Sequence, residues 1–124
     1  MKTYERIYAK INLDAVAHNL KSIEQKISPE TKIIAVVKAD GYGHGAAEIA
    51  RELEPSDRVF GFAAATAEEA FSLQRSGVRK PILILGYTFE KDYIEMIQKQ
   101  IRPTVYSFEM AEAFSKAACL AGEK

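Results

Sequence analysis

The 124-residue sequence has one cysteine, no tryptophan and no net charge. The single Cys119 excludes an internal disulfide and suits a reducing compartment. The 17 basic and 17 acidic residues cancel, so the overall charge does not indicate nucleic acid or an acidic surface as a partner. No apolar run approaches the ~20 residues of a membrane helix, and the charged start MKTYERIYAK does not read as a signal peptide. We therefore expect a cytoplasmic globular protein with no membrane partner.

The most informative stretch is TKIIAVVKADGYGHG, residues 31–45. Residues 33–37 are apolar and mostly β-branched, which predicts a buried strand. Lys38 closes this strand, and glycines at positions 41, 43 and 45 precede a helix that begins at about Ala46. Ligands of parallel α/β folds bind at the carboxyl ends of the strands. The stretch therefore predicts a ligand site beside Lys38.

The strand pattern gives two interpretations of Lys38. Side chains alternate along a strand, so Ile34, Val36 and Lys38 share a face that is expected to point into a core. At the rim of that core, partial desolvation would favour the neutral amine, which can attack an aldehyde and form a Schiff base. Alternatively, Lys38 simply reaches solvent from a strand end. The strand pattern and the charge of Lys38, taken alone, favour the interpretation in which its side chain simply reaches solvent.

The glycines of the turn are compatible with a phosphate site. They allow a ligand to approach the backbone closely, and their amides precede a helix amino terminus, which favours phosphate. Tyr42 could donate its hydroxyl to a phosphate or pack over the turn. Ordinary strand-to-helix turns also use glycine, so this signal is weak. His44 is interpreted as structural, because its ring can bond the local backbone.

The remaining chain repeats strand and helix. Strands are predicted to begin near residues 8, 32, 58, 81 and 103, with one helix in each gap, and such serial repetition predicts parallel strands. The first strand is IYAKINL (residues 7–13), and the last covers residues 103–106. Thr66 and Glu69 match a capping box at a helix start. Glu68, Glu69 and Glu112 are interpreted as solvated helix residues without chemistry.

Two architectures fit this α/β pattern of parallel (β/α) repeats. One is a doubly wound open sheet, and the other is a partial TIM-type barrel. A complete eight-stranded barrel needs about 250 residues, so this chain would supply about its first half. A half-barrel would expose an unpaired edge strand and an uncovered inner face, from which we expect self-association or marginal folding.

The segment AVVKADGYGHG, residues 35–45, resembles the pyridoxal-phosphate attachment motif of the bacterial alanine racemases without departure. The flanking segments AKINLDAVAHNL and PILILG resemble that family as well. The resemblance implies that residues 1–124 are the amino-terminal part of a pyridoxal-phosphate-binding (β/α) barrel, with the rest of the barrel and a carboxyl-terminal β domain absent.

The same resemblance implies roles for three residues. Lys38 would carry pyridoxal 5′-phosphate as an aldimine and move the α-proton on one face of alanine. Tyr42 would contact the phosphate, and Leu85 would line the cofactor pocket. No metal ligand is implied. The second acid/base group would be a tyrosine of the partner subunit in a homodimer, so the chain alone is expected to be inactive as a racemase.

Several alternatives to an alanine racemase that supplies D-alanine for peptidoglycan remain open. A serine racemase or a fold-related amino-acid decarboxylase could share a strand that ends in lysine. A non-catalytic pyridoxal-phosphate-binding barrel protein belongs to a different functional class. A half-barrel scaffold without a ligand is a further possibility.

Overall fold

A computed structural model describes residues 6–122 of the chain. The elements follow in the order α1 (Leu13–Glu24), β1 (Ile33–Val36), α2 (Lys38–Tyr42), α3 (Ala46–Leu53), β2 (Val59–Ala64), α4 (Ala67–Arg75), β3 (Ile82–Ile84), a 3-10 turn (Glu90–Asp92), α5 (Tyr93–Gln98) and α6 (Phe108–Ala121). The strands are parallel and hydrogen-bonded in the order β1-β2-β3. The predicted parallel α/β class is therefore confirmed.

The helices cover one face of this sheet. Phe62, Ile82 and Ile84 are almost completely buried on that face. They belong to one core cluster with helical side chains that include Ala50, Leu73 and Met96. A sheet covered on one face, whose strands follow one another in chain order, is the arrangement of a barrel segment, whereas a doubly wound sheet is covered on both faces.

The other face of the sheet is open. Ile34, Val36 and Phe60 are 43%, 53% and 40% exposed. The prediction that the face of Ile34 and Val36 points into a core is therefore wrong for the described chain, because no element of residues 6–122 packs on it. The chain exposes 8920 Å². A compact 13.8 kDa monomer exposes about 6,600 Å². The uncovered sheet face contributes to this excess.

The first and last predicted strands are not formed. Residues 7–12 have no regular structure, and α1 begins at Leu13, where the Asn12 side chain accepts a hydrogen bond from Ala15 N at 3.1 Å. None of residues 103–106 forms a strand, and the nearest pairing is an isolated parallel bridge between Arg102 and Leu83. A strand needs backbone pairing over several residues. The described chain offers residues 7–12 no partner strand, and residues 104–106 bond the end of β3 through side chains.

None of the helices described between residues 6 and 122 is long and apolar enough to cross a membrane. The same residues contain no group of three or more His, Cys, Asp or Glu side chains arranged to hold a metal ion. Cys119 is exposed on α6, although its alanine-rich helical stretch favours a packing role over a nucleophilic one.

Tyr93 links α5 to α6 and gives the fold a defined pH dependence. Its side chain is only 3% exposed and stacks on Phe114 at a centroid distance of 3.6 Å. Burial raises the pKa of Tyr93 above its ordinary value of 10.0, and negative charge on Tyr87 and Glu90 raises it further. Above that pH the unfolded chain binds fewer protons at this residue than the folded chain, so rising pH favours unfolding.

We therefore expect the free energy of unfolding to fall as pH rises above 10.0, and to fall less steeply in Tyr93→Phe. Urea titrations at several alkaline pH values measure this dependence. Tyr8→Phe, which alters a tyrosine that is 71% exposed, is the matched control. An equally steep decline in Tyr93→Phe and in the wild type would contradict the expectation.

Candidate functional site at the carboxyl edge of the sheet

Lys38 and Leu85 lie at the same edge of the sheet, just beyond the carboxyl ends of β1 and β3. Val37 N donates to Ala63 O at 2.9 Å, and Leu85 N donates to Ala64 O at 2.8 Å, so the ladders continue to this edge. Val36, Ala63 and Leu83 are register partners. Alternation from this row places Leu85 on the open face. Val37 (φ −121°, ψ 17°) has left the extended conformation, so alternation assigns Lys38 to this edge of the sheet and not to one of its faces. With strands about 4.8 Å apart, the Lys38 and Leu85 backbones are separated by about 10 Å.

The chain after Lys38 forms one left-handed turn. We call α2 (Lys38–Tyr42) the lysine turn. Ala39, Asp40, Gly41 and Tyr42 have φ angles of +52°, +52°, +60° and +56°. Only glycine adopts this region freely, and each other residue costs about 1–2 kcal/mol. Three of these four residues carry a Cβ atom, so the conformation must be maintained by surrounding contacts.

Backbone and side-chain hydrogen bonds provide several of these contacts. Gly41 N donates to Val37 O at 2.9 Å, which joins the turn to the end of β1. Asp40 accepts from Gly45 N at its carbonyl and from Ala46 N at its carboxylate, both at 2.9 Å. The Asp40 carboxylate thereby satisfies an amide at the start of α3, where the N-cap Gly45 has no side chain to do so.

His44 and Glu69 also contact this region. His44 Nδ1 lies 2.9 Å from Gly41 O, which confirms its structural interpretation. Because a carbonyl oxygen can only accept, this contact requires a proton on Nδ1. Glu69 accepts from Ala39 N at 3.0 Å and from Ala65 N at 2.7 Å. The interpretation of Glu69 as a solvated helix residue is therefore wrong, because its carboxylate joins two strand ends.

The three predicted site residues differ in their surroundings. Lys38 is half-buried, and its ammonium makes no hydrogen bond or ion pair with residues 6–122. Tyr42 is 70% exposed, and its left-handed backbone presents the side chain to solvent. Leu85 is 37% exposed on the open face. Lys38 and Leu85 lie at the same edge of the sheet, whereas Tyr42 lies in the adjoining turn.

Two hydroxyl groups at this edge were not identified from the sequence pattern. Tyr106 donates its hydroxyl proton to Leu85 O, and Thr104 donates to Ile84 O at 2.7 Å. Side-chain bonds thus attach residues 104–106 to the end of β3 where a strand ladder was expected. The alternating sequence gave no signal for this, because side-chain bonding to a neighbouring carbonyl has no periodicity.

Comparisons with known proteins give a consistent result. A family model described as "Alanine racemase, N-terminal domain" matches residues 11–124. Alanine racemase 2 of Oceanobacillus iheyensis is 40% identical over 116 residues, which are 94% of this chain and 29% of the relative. A solved alanine racemase of Clostridium difficile 630 is similar with a TM-score of 0.88 and 41% identity, over 92% of this chain and 30% of that one.

A serine/alanine racemase of Enterococcus gallinarum is 41% identical over 112 residues, which are 90% of this chain and 16% of the relative. The chain therefore spans less than a third of the length of each of these relatives. The range matched by the family model, residues 11–124, includes the lysine turn and the strands on either side of it.

The left-handed turn predicts different losses of stability for two glycine substitutions. At Gly41 (φ +60°) an added Cβ would lie 3.0 Å from Ile49 Cδ1, whereas at Gly43 (φ +84°) it would meet nothing within 4 Å. We expect Gly43→Ala to lower the free energy of unfolding by about 1–2 kcal/mol through backbone strain alone. Gly41→Ala should lower it further because Ile49 must also move. Urea unfolding measures both, and an equal or smaller loss in Gly41→Ala would contradict the described turn.

Proposed function

The chain belongs to the alanine racemase N-terminal domain family, and from this premise we propose that the whole protein interconverts L-alanine and D-alanine with pyridoxal 5′-phosphate bound at Lys38. The observation that carries the proposal is the position of Lys38. It is a lysine without a hydrogen-bond or ion-pair partner among residues 6–122, at the carboxyl edge of a parallel sheet. This is the edge at which barrel enzymes bind their substrates.

The residues at this edge fit the proposed cofactor chemically. A primary amine is the group that condenses with the cofactor's aldehyde, and Lys38 Nζ is not engaged by another described residue. The exposed Tyr42 hydroxyl can donate to a phosphate oxygen, and Leu85 offers an apolar surface at the same sheet edge as Lys38. We therefore assign cofactor binding to Lys38, Tyr42 and Leu85.

When bound, pyridoxal phosphate supplies an electron sink that stabilises negative charge at the α-carbon of the substrate. Lys38 Nζ is proposed to take the α-proton from, or return it to, one face of the substrate. Inversion also requires an acid/base group on the opposite face. Tyr106 uses its hydroxyl proton to bond Leu85 O, and Tyr93 is buried between α5 and α6. We propose that the second group comes from the partner subunit of a homodimer, as the family resemblance implies.

A second candidate substrate is supported by one of the relatives. The Enterococcus gallinarum protein is named a serine/alanine racemase, and its 41% identity is as high as that of the alanine racemases. Serine differs from alanine by one hydroxyl, and a pocket without a polar partner for that hydroxyl discriminates weakly between the two. We place alanine first and serine second.

We expect borohydride reduction of a mixture of the chain and pyridoxal phosphate to give an adduct at Lys38, located by peptide mass. The other lysines supply internal comparisons. Lys80 Nζ donates to Ser56 O and Val59 O, both at 2.6 Å, whereas Lys26 is exposed. Label at Lys38 should exceed that at either residue and should disappear in Lys38→Ala. Equal labelling of Lys38 and Lys26 would contradict a preformed amine site.

A second expectation concerns turnover by this chain alone. Because only one of the two required acid/base groups is assigned to it, the 124-residue chain with pyridoxal phosphate should not convert L-alanine to D-alanine. A coupled D-alanine assay measures this, with Lys38→Ala as the background. Racemisation above that background would show that the 124-residue chain also contains the second group.

A further inference from the structure

Glu69 joins the carboxyl ends of two neighbouring strands through a single carboxylate. Its Oε1 accepts from Ala39 N at 3.0 Å, and its Oε2 accepts from Ala65 N at 2.7 Å. Ala39 directly follows Lys38, and Ala65 directly follows β2. The backbone next to the candidate lysine is therefore bonded to the adjoining strand end through Glu69, which lies 30 residues away from Ala39 in sequence.

Helix capping alone does not account for this geometry. In a capping box the glutamate accepts from the amide of the N-cap residue, here Thr66. Thr66 Oγ1 does accept from Glu69 N at 3.2 Å, but the glutamate bonds Ala65 instead of Thr66. Its second oxygen leaves the helix for the lysine turn. The carboxylate thus makes one hydrogen bond next to the start of α4, to Ala65 N, and a second to Ala39 N, which contributes nothing to α4.

The lysine turn, in contrast, does need this bond. Ala39 is the first left-handed residue, with φ +52° and ψ +46°. As at any helix start, the first amides of the turn lack partners within it, and the partner of Ala39 N is Glu69. A hydrogen bond to a carboxylate is roughly twice as strong as one between neutral groups. It can therefore offset the cost of the left-handed conformation at Ala39.

We propose that Glu69 is a positioning residue for Lys38. Its carboxylate fixes the left-handed backbone at Ala39 and thereby the direction in which the Lys38 side chain leaves the strand end. Two amides require two acceptor oxygens, so a carboxylate is needed and a carboxamide, with one acceptor, is insufficient. The proposal rests on the proposed function for the role of the amine, whereas the contact between Glu69 and the turn exists without any cofactor.

The first test compares Glu69→Gln with Glu68→Gln. Both variants remove one negative charge from the first turn of α4, but Glu68 is exposed and bonds no other described residue. Amide hydrogen exchange of Ala39 and Ala65 should accelerate at least about 10-fold at one or both sites in Glu69→Gln, the effect of losing one charge-assisted hydrogen bond. Exchange in Glu68→Gln should stay within about twofold of the wild type.

The second test measures the direction of the amine. The ratio of borohydride-trapped pyridoxal phosphate at Lys38 to that at the exposed Lys26 should fall severalfold in Glu69→Gln and be unchanged in Glu68→Gln. If wild-type chain shows no preference for Lys38, the proposed function fails, while amide exchange at Ala39 still tests the contact. The two failures are therefore distinguishable.

Two results would overturn the proposal. One is unchanged exchange at Ala39 and Ala65 in Glu69→Gln. The other is equal acceleration of core amides such as Phe62 with an unchanged labelling ratio, because a purely structural role produces that pattern. If Glu69→Gln does not fold, the comparison of the wild type with Glu69→Gln is replaced by a comparison of Ala39→Gly with the double variant Ala39→Gly/Glu69→Gln. Glycine at position 39 adopts the left-handed conformation freely and so removes the backbone strain there. Exchange at position 39 is then compared between those two variants, with the same criteria.

Discussion

The left-handed turn from Ala39 to Tyr42 is the constraint on which this site depends. It ends β1 abruptly and leads the chain into α3 within three residues. Right-handed backbone at these positions would continue away from the strand end and displace both the helix and the lysine. The turn is unfavourable for residues with a Cβ atom, and it persists because Asp40 and Glu69 bond its ends to α3 and to the β2 exit.

The open face of the sheet connects stability with function. In a closed barrel this face is the interior, filled by apolar side chains below a polar carboxyl edge. The described chain has the same division, with Ile34 and Phe60 near the amino ends of the strands and Lys38 and Tyr106 at the carboxyl edge. The apolar surface that makes the chain more exposed than a compact protein thus adjoins the proposed cofactor site.

Much of the fold could be predicted from the sequence, because local pattern determines it. The parallel strands and the structural use of His44 were both anticipated. The strands at residues 7–13 and 103–106 were predicted wrongly, because periodicity does not report whether a partner strand is present or whether side chains bond a neighbouring strand instead of the backbone. The face of Ile34 and Val36 was predicted to be buried, but no element of residues 6–122 packs on it.

The site could be predicted only in part. The motif around Lys38 predicted a site lysine, but it gave no indication of the left-handed backbone at Ala39, since alanine disfavours that conformation. Glu69 was missed because its spacing from Thr66 already had an explanation as a capping box. Its contact with Ala39 depends on how two neighbouring strand ends come together in space, which sequence spacing does not encode.

The most direct test of this account is the backbone conformation of the lysine turn in solution. Positive φ brings the amide proton of a residue close to its own α-proton, so the intraresidue nuclear Overhauser effect distinguishes left-handed from right-handed backbone. The account predicts the strong intraresidue effect at Ala39, Asp40 and Tyr42 together. Weak effects typical of negative φ at these three residues, in a chain whose core amides are protected, would contradict it.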